Sequence, residues 1–224
     1  MNATWRRRDF MKAGAFSAVA AWFGLEATAQ EAKPAKPDEK QEPAKKATTL
    51  DNLMKAYDGE SNAHQRYVEF AKKADEEGFG QVASLFRAAA RSEEIHAAGH
   101  AEVIKKMGGT PKADLKKPEV KSTKENLEAA LKGETYERDT MYPEFMKQAK
   151  AEKNKDAVQA FNYALSAETE HAKFYKDALD HLDQWKTGKK DFFVCSVCGY
   201  TVTKIDFEKC PVCTSPKSRY EKIS

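Results

Sequence analysis

Glu93-Glu94-Ile95-His96 sets a carboxylate and an imidazole three residues apart, and Glu168-Thr169-Glu170-His171 repeats the pair at an offset of 75. On a helix, positions i and i+3 share one face. A Glu and a His side by side are poor core material unless something neutralises them, and together they are good metal ligands. Any fold for this chain must bring both pairs to a common partner or leave both in water.

The surrounding pattern decides between these. Helical periodicity predicts four helices, from about Thr49 to Glu77, Gln81 to Met107, Ser122 to Glu152 and Asp156 to Trp185. Gly78-Phe79-Gly80 and Gly108-Gly109-Thr110-Pro111 end the first two, and Ser122 with Glu125 forms a capping box for the third. Each helix carries an apolar stripe with an acidic middle: Glu60 lies between Ala56 and Ala63, Glu93 and His96 between Ala89 and Val103, Glu134 and Glu137 between Leu131 and Met141, and Glu168 and His171 between Leu165 and Tyr175. An unpaired buried carboxylate costs several kcal/mol, on the order of the stability of a whole domain. Four such intrusions at matching height therefore point to a shared partner.

The two halves also match each other. Gly59-Glu60 aligns with Gly133-Glu134 at an offset of 74, while Tyr67, Phe70, Phe86, Glu93 and His96 align with Tyr142, Phe145, Phe161, Glu168 and His171 at 75. The third helix thus holds one extra residue between Glu134 and Tyr142, followed by Pro143. An insertion beside a proline predicts a π-bulge or kink there. Glu137 follows Glu134 by one turn and is read as a seventh ligand. His64 is read as an edge residue, His100 as structural and His181 as exposed, and Glu94 and Glu170 point away from the shared face.

One Glu from each of two helices plus a Glu-x-x-His from each of the other two resembles the arrangement of ferritin-like di-iron and di-manganese proteins. Its chemistry is sound in its own terms. Carboxylates bridge two cations, imidazoles cap them, and O/N ligands suit iron or manganese; zinc would bind without redox chemistry.

All four cysteines fall within Cys195–Cys213, as Cys195-Ser-Val-Cys198 and Cys210-Pro-Val-Cys213. Two such knuckles predict a tetrahedral thiolate site in a module too small to hold a core without its metal. A pair of disulfides is the alternative in an oxidising compartment; the knuckle spacing, Gly199-Tyr200 and Pro211 favour metal.

With these residues in view, the chain resembles rubrerythrin. The resemblance rests on Gly59-Glu60 with Tyr67, Glu93-x-x-His96, Gly133-Glu134-x-x-Glu137 with Tyr142, and Glu168-x-x-His171, and the knuckles extend it to the C-terminus. It implies an all-α ferritin-like four-helix bundle at residues 48–187, followed at 190–224 by a rubredoxin-like or zinc-ribbon β module. It also implies a di-iron centre held by Glu60, Glu93, His96, Glu134, Glu137, Glu168 and His171, with one iron moving between His96 and Glu137. Tyr67 and Tyr142 become candidate catalytic residues, and Cys195, Cys198, Cys210 and Cys213 hold a further iron, with zinc as the alternative. The loop from Tyr200 to Lys209 departs from rubredoxin-like modules in lacking Gly and Pro.

The N-terminus completes the expectation. Arg6-Arg7-Arg8-Asp9-Phe10-Met11-Lys12, the apolar stretch Ala13–Leu25 and Ala27-Thr28-Ala29 read as a twin-arginine signal over 1–29, which implies the twin-arginine translocase and a periplasmic destination. A Lys/Pro/Glu/Ala tether over 30–47 lacks the apolar residues to fold. The net charge of +3 speaks against a nucleic-acid partner.

The function implied is reduction of hydrogen peroxide in oxidative-stress protection. Electrons would come from an unidentified donor protein through the Cys site, across a head-to-tail homodimer as in the family, because the path within one subunit is expected to be long. The alternatives are a ferritin-like iron-storage protein with a structural zinc ribbon, and an oxidase or oxygenase on the same scaffold.

Overall fold

The computed structural model describes residues 47–224. The signal and tether readings fall on residues 1–46, outside the described residues, apart from Ala47. Five α-helices form the bundle: α1 (Thr49–Glu76), α2 (Gly80–Lys106), α3 (Thr123–Tyr136), α4 (Tyr142–Ala151) and α5 (Lys155–Asp180). A π-helical turn, Glu137–Met141, joins α3 to α4 into the single third rod, at the place where the repeat gains its extra residue. The fourth helix is shorter than its pattern suggests: α5 ends at Asp180 and a 3-10 turn, Leu182–Trp185, carries the chain off the bundle. No described helix is long and apolar enough to cross a membrane.

The helix ends obey the internal repeat. Thr48 and Asp51 form a capping box on α1, and Ser122 and Glu125 form its counterpart on α3. Each start is also closed by a carboxylate just past the first rod of the other half. Thr49 N donates to Glu152 at 3.1 Å, and Thr123 N donates to Glu77 at 2.8 Å. Between the halves, the polar crossing is tied to α1, with Asp114 N donating to Asp58 at 2.6 Å and Lys116 N to Asn62 at 2.9 Å.

Two apolar clusters lie on either side of the acidic layer. One gathers Tyr67, Phe70, Phe86, Leu127 and Tyr175, and the other Leu53, Ile104, Tyr142, Phe145 and Phe161. Beyond the bundle, β1 (Phe192–Cys195) is the centre of a small antiparallel sheet of order β2-β1-β3, with β2 at Thr201–Val202 and β3 at Tyr220–Ile223. Val194 pairs with Thr201 on one side and with Glu221 on the other. Phe192 packs edge-on against Phe174 of α5 and beside Trp185, so the first cluster runs unbroken from bundle to sheet. Arg91 of α2 clamps Glu221 with two hydrogen bonds, at 2.8 and 3.0 Å.

Candidate metal centre

Six of the seven expected bundle ligands meet. They are Glu60 from α1, Glu93 and His96 from α2, Glu134 from α3, and Glu168 and His171 from α5, all buried. They form two overlapping sets, Glu60/Glu93/His96/Glu168 and Glu93/Glu134/Glu168/His171, with one ligand atom per residue lying within 4.8 Å of the others in its set. Glu93 and Glu168 belong to both. Glu93 lies 2.9 Å from His96 Nδ1 through one oxygen and 3.4 Å from His171 Nδ1 through the other. Glu168 mirrors it, 2.9 Å from His171 Nδ1 and 3.2 Å from His96 Nδ1. Glu60 and Glu134 end the array, each 3.8 Å from the histidine of its own set. This is the geometry of two bridging and two terminal carboxylates.

The residues fit a pair of divalent ions. One oxygen of every carboxylate, namely Glu60 Oε2, Glu93 Oε1, Glu134 Oε2 and Glu168 Oε1, is buried without a hydrogen-bond partner in the protein. Buried polar atoms are rarely left so, and four orphans in one cage call for cations. Without them the cage is frustrated. Burial, then the charge on Glu93, pushes Glu60 and Glu168 well above the ordinary carboxylate range. Burial also acts upward on Glu93, but its hydrogen bonds with His171 and His96 prevail and hold it below that range. Burial would lower His96, yet the bond to Glu93 and the charges of Glu60 and Glu93 raise it to about 9.

Around the ligands, each terminal carboxylate accepts a short hydrogen bond from a tyrosine of the other half: Tyr142 donates to Glu60 and Tyr67 to Glu134. The two candidate catalytic tyrosines therefore touch ligands directly. Each histidine turns Nδ1 inward and Nε2 outward, and both outer nitrogens meet the cysteine module. His96 Nε2 lies 3.2 Å from the Cys198 carbonyl, and His171 Nε2 lies 3.1 Å from Thr201 Oγ1. Such outer contacts fix the tautomer that leaves Nδ1 free to ligate.

The four cysteines are free thiols in one cluster. The Sγ pairs Cys195–Cys213 and Cys198–Cys210 are each 3.7 Å apart. A regular tetrahedron of thiolates around a metal at ~2.3 Å has edges of about 3.8 Å, so the cluster fits a mononuclear site.

Glu137 stands apart. It lies on the π turn, half-buried, outside both ligand sets, and lines a cavity of about 470 Å³ with Arg66, Asn62 and Lys116. Burial, then the charges of Glu134 and Glu93, raises its pKa well above normal. Of the other expectations, His64 is half-buried and meets the Ala90 carbonyl at 2.7 Å. His181 and Glu94 are exposed, while Glu170 pairs with Lys173 away from the cage. His100 is fully buried, 3.3 Å from the Tyr142 hydroxyl.

Sequence reasoning missed the docking residues. Ser92 Oγ donates to the Gly199 carbonyl at 2.8 Å, and a Cβ on Gly199 would overlap His96 Nε2 and Ser92 Oγ. Gly199 also holds φ at +75°, a region unfavourable to side chains. Ser92 carried a faint signal, as a small hydroxyl one turn before a ligand histidine. Thr201 carried none, because its role arises from a contact 30 residues distant.

The rubrerythrin family profile matches residues 51–179. Nigerythrin from Nitratidesulfovibrio vulgaris is 40% identical over 174 residues, covering 77% of this chain and 85% of that protein. Rubrerythrin-2 from Clostridium acetobutylicum is 37% identical over 192 residues, covering 79% and 97%. The structure of fully reduced, all-ferrous nigerythrin superposes with a TM-score of 0.73 at 36% identity, covering 82% of this chain and 91% of that one. The ligand cage, the knuckles and these relatives agree: the chain belongs to the rubrerythrin family.

Proposed function

We propose that this chain is a non-haem di-iron peroxidase that reduces hydrogen peroxide to water, with electrons delivered through an Fe(Cys)4 site. The contact between His96 and Cys198 carries this reading. From Cys198 Sγ the covalent path runs through Cβ, Cα and the carbonyl of one residue, crosses a 3.2 Å hydrogen bond, and follows the imidazole ring to Nδ1 in the cage. A storage protein with a structural zinc ribbon has no use for such a junction. That contact supports a relay running from the Cys site to the cage, and the homodimer implied by the family stays part of the proposal.

Glu60, Glu93, His96, Glu134, Glu168 and His171 would hold two irons, which when bound supply two electrons to the O–O bond of peroxide; two protons complete the conversion to two waters. A cavity of about 290 Å³ bordered by His96, Gly99 and Cys198 gives a small oxidant room on the His96 side. Tyr142 and Tyr67 orient the terminal carboxylates and hold a proton at the edge of the cage. The two apolar clusters keep bulk water away from it. Glu137, one turn beyond Glu134 on the π turn, would serve as a reserve carboxylate for the iron on the His96 side. Export through the twin-arginine route to the periplasm, read from residues 1–29, belongs to the same proposal, and cell fractionation tests it.

Protein purified without air should hold three irons per chain and show the visible band of an iron–thiolate centre. Glu168→Ala should abolish peroxide turnover and leave the Cys site filled. Unchanged peroxide consumption would refute the cage assignment, and donor-driven turnover surviving in Cys198→Ser would refute the relay.

A further inference from the structure

The thiolate site has a buried side and an open side. Cys195, Cys198 and Cys210 are at most 1% exposed, while Cys213 is partly exposed. It borders a groove of about 820 Å³ between module and bundle, walled by Lys150, Lys153, Lys155, Tyr163 and Thr214. Among the described residues, no acidic side chain lines this groove. The three lysines are exposed, and none takes part in an ion pair among the described residues, whereas Lys72, Lys173 and Lys176 each hold a carboxylate on their own helix.

The backbone marks the same place. Among the described residues, Lys153 (φ +58°) and Thr214 (φ +62°) are the non-glycine residues in the left-handed region, and both line the groove. Each has a glycine counterpart elsewhere. Gly78, at φ +77°, closes the first hairpin where Lys153 closes the second, and Gly199, at φ +75°, follows the first knuckle as Thr214 follows the second. Glycine serves these turns with less strain. Side chains held in a disfavoured conformation cluster at functional sites, and here two converge on one groove.

We propose that this groove is the docking site of the electron donor, and that the donor is an acidic one-electron carrier protein; this rests on the relay reading above. Its carboxylates would pair with Lys150, Lys153 and Lys155 while its redox group approaches Cys213. In each encounter the carrier loses one electron and the thiolate-held ferric ion becomes ferrous, with no bond made and no proton moved. Electrons would then enter by the open knuckle and leave by the buried one, whose Cys198 carbonyl meets His96.

The test uses the full mature chain and flavodoxin, an acidic one-electron flavoprotein. Binding of oxidised flavodoxin is measured by calorimetry at low and high salt, and reduction of the Cys-site iron by reduced flavodoxin in stopped flow. The triple variant Lys150→Glu/Lys153→Glu/Lys155→Glu should weaken low-salt binding and slow reduction about tenfold or more, and abolish the salt dependence of both. Reduction by the methyl viologen radical cation, a small one-electron reductant, should not slow. Unchanged flavodoxin binding in the variant overturns the proposal. So does sedimentation showing that the wild-type chain self-associates through these lysines, since a second copy would then fill the groove. Zinc in the Cys site together with lysine-dependent binding would sink the relay and leave the docking groove standing.

Discussion

Gly199→Ala tests the junction between the two metal sites most directly. An L-residue at φ +75° adds about 1–2 kcal/mol of backbone strain. The new methyl also meets His96 Nε2 and Ser92 Oγ, so the knuckle must lift. Lifting breaks the Ser92 bond to the Gly199 carbonyl and the His96 bond to the Cys198 carbonyl. At about 1 kcal/mol each, the total comes to about 3–4 kcal/mol. That corresponds to a shift of at least about a hundredfold in the equilibrium between docked and undocked module, because the variant's docked state lacks both bonds and carries the strain. Hydrogen exchange reads it as faster exchange of the Gly199 amide, which donates to the Cys195 carbonyl at 2.9 Å, while core amides of α1 stay protected. Single-turnover electron transfer from the Cys site to the cage should slow in parallel, with metal content and the thiolate spectrum unchanged as controls. If exchange and transfer both match the wild type with both sites loaded, the reasoning from the Gly199 contacts is wrong.

Three further perturbations address the cage. Deleting Thr140 should convert the π turn into continuous α-helix without rotating Tyr142 or Phe145, so the melting temperature should hold or rise while peroxide turnover falls; a collapse in stability would show that the turn is structural. Tyr142→Phe removes the donor to Glu60 and the partner of His100 Nε2, which should destabilise the metal-free protein by about 1–3 kcal/mol and the loaded protein by less, measured as paired denaturant midpoints. The third concerns pH. His96 is raised to about 9 in the metal-free fold, so its contribution is fully present below about 6.5 and is lost as pH rises through 9, a decline of about 3 kcal/mol. Glu60 and Glu168, also raised, act in the same direction, because the unfolded chain ionises first. The metal-free melting temperature should therefore fall from pH 6.5 to 9 while that of the loaded protein stays level; parallel curves would contradict the cage electrostatics.

The ligand cage was readable because it is written in helical period. A Glu on an apolar stripe is conspicuous when the stripe is otherwise Ala, Phe and Tyr, and the repeat supplied the second copy of each signal. The π turn was readable for a related reason, since one surplus residue breaks the match between Glu134 and Tyr142. Glu137 was legible in its place beside the cage but not in its surroundings. Its spacing from Glu134 puts it on the ligand face of an ideal α-helix, but the backbone leaves α geometry at that residue, and its side chain borders the Arg66 cavity, outside both ligand sets. The seating of the cysteine module was not readable at all. It depends on Ser92 with Gly199, His171 with Thr201 and Arg91 with Glu221, contacts between segments 30 to 130 residues apart that share no periodicity. The end of α5 at Asp180 belongs with these, because Trp185 is drawn off the helix to pack beside Phe192 of the sheet.

The crossed caps on α1 and α3 have a consequence for how this chain is put together. Because Glu152 adds a bond to the start of α1 and Glu77 adds one to the start of α3, each hairpin's own capping box is completed by the other hairpin. Each is a template that only the other completes, and the cage between them takes ligands from both. The covalent link through residues 107–122 adds proximity to a partnership whose specificity lies elsewhere. A chain nicked in that crossing is therefore built to reassemble from its two fragments. At high concentration the same complementarity would let two chains trade hairpins, which sedimentation of the nicked and intact chains would reveal as a dimer.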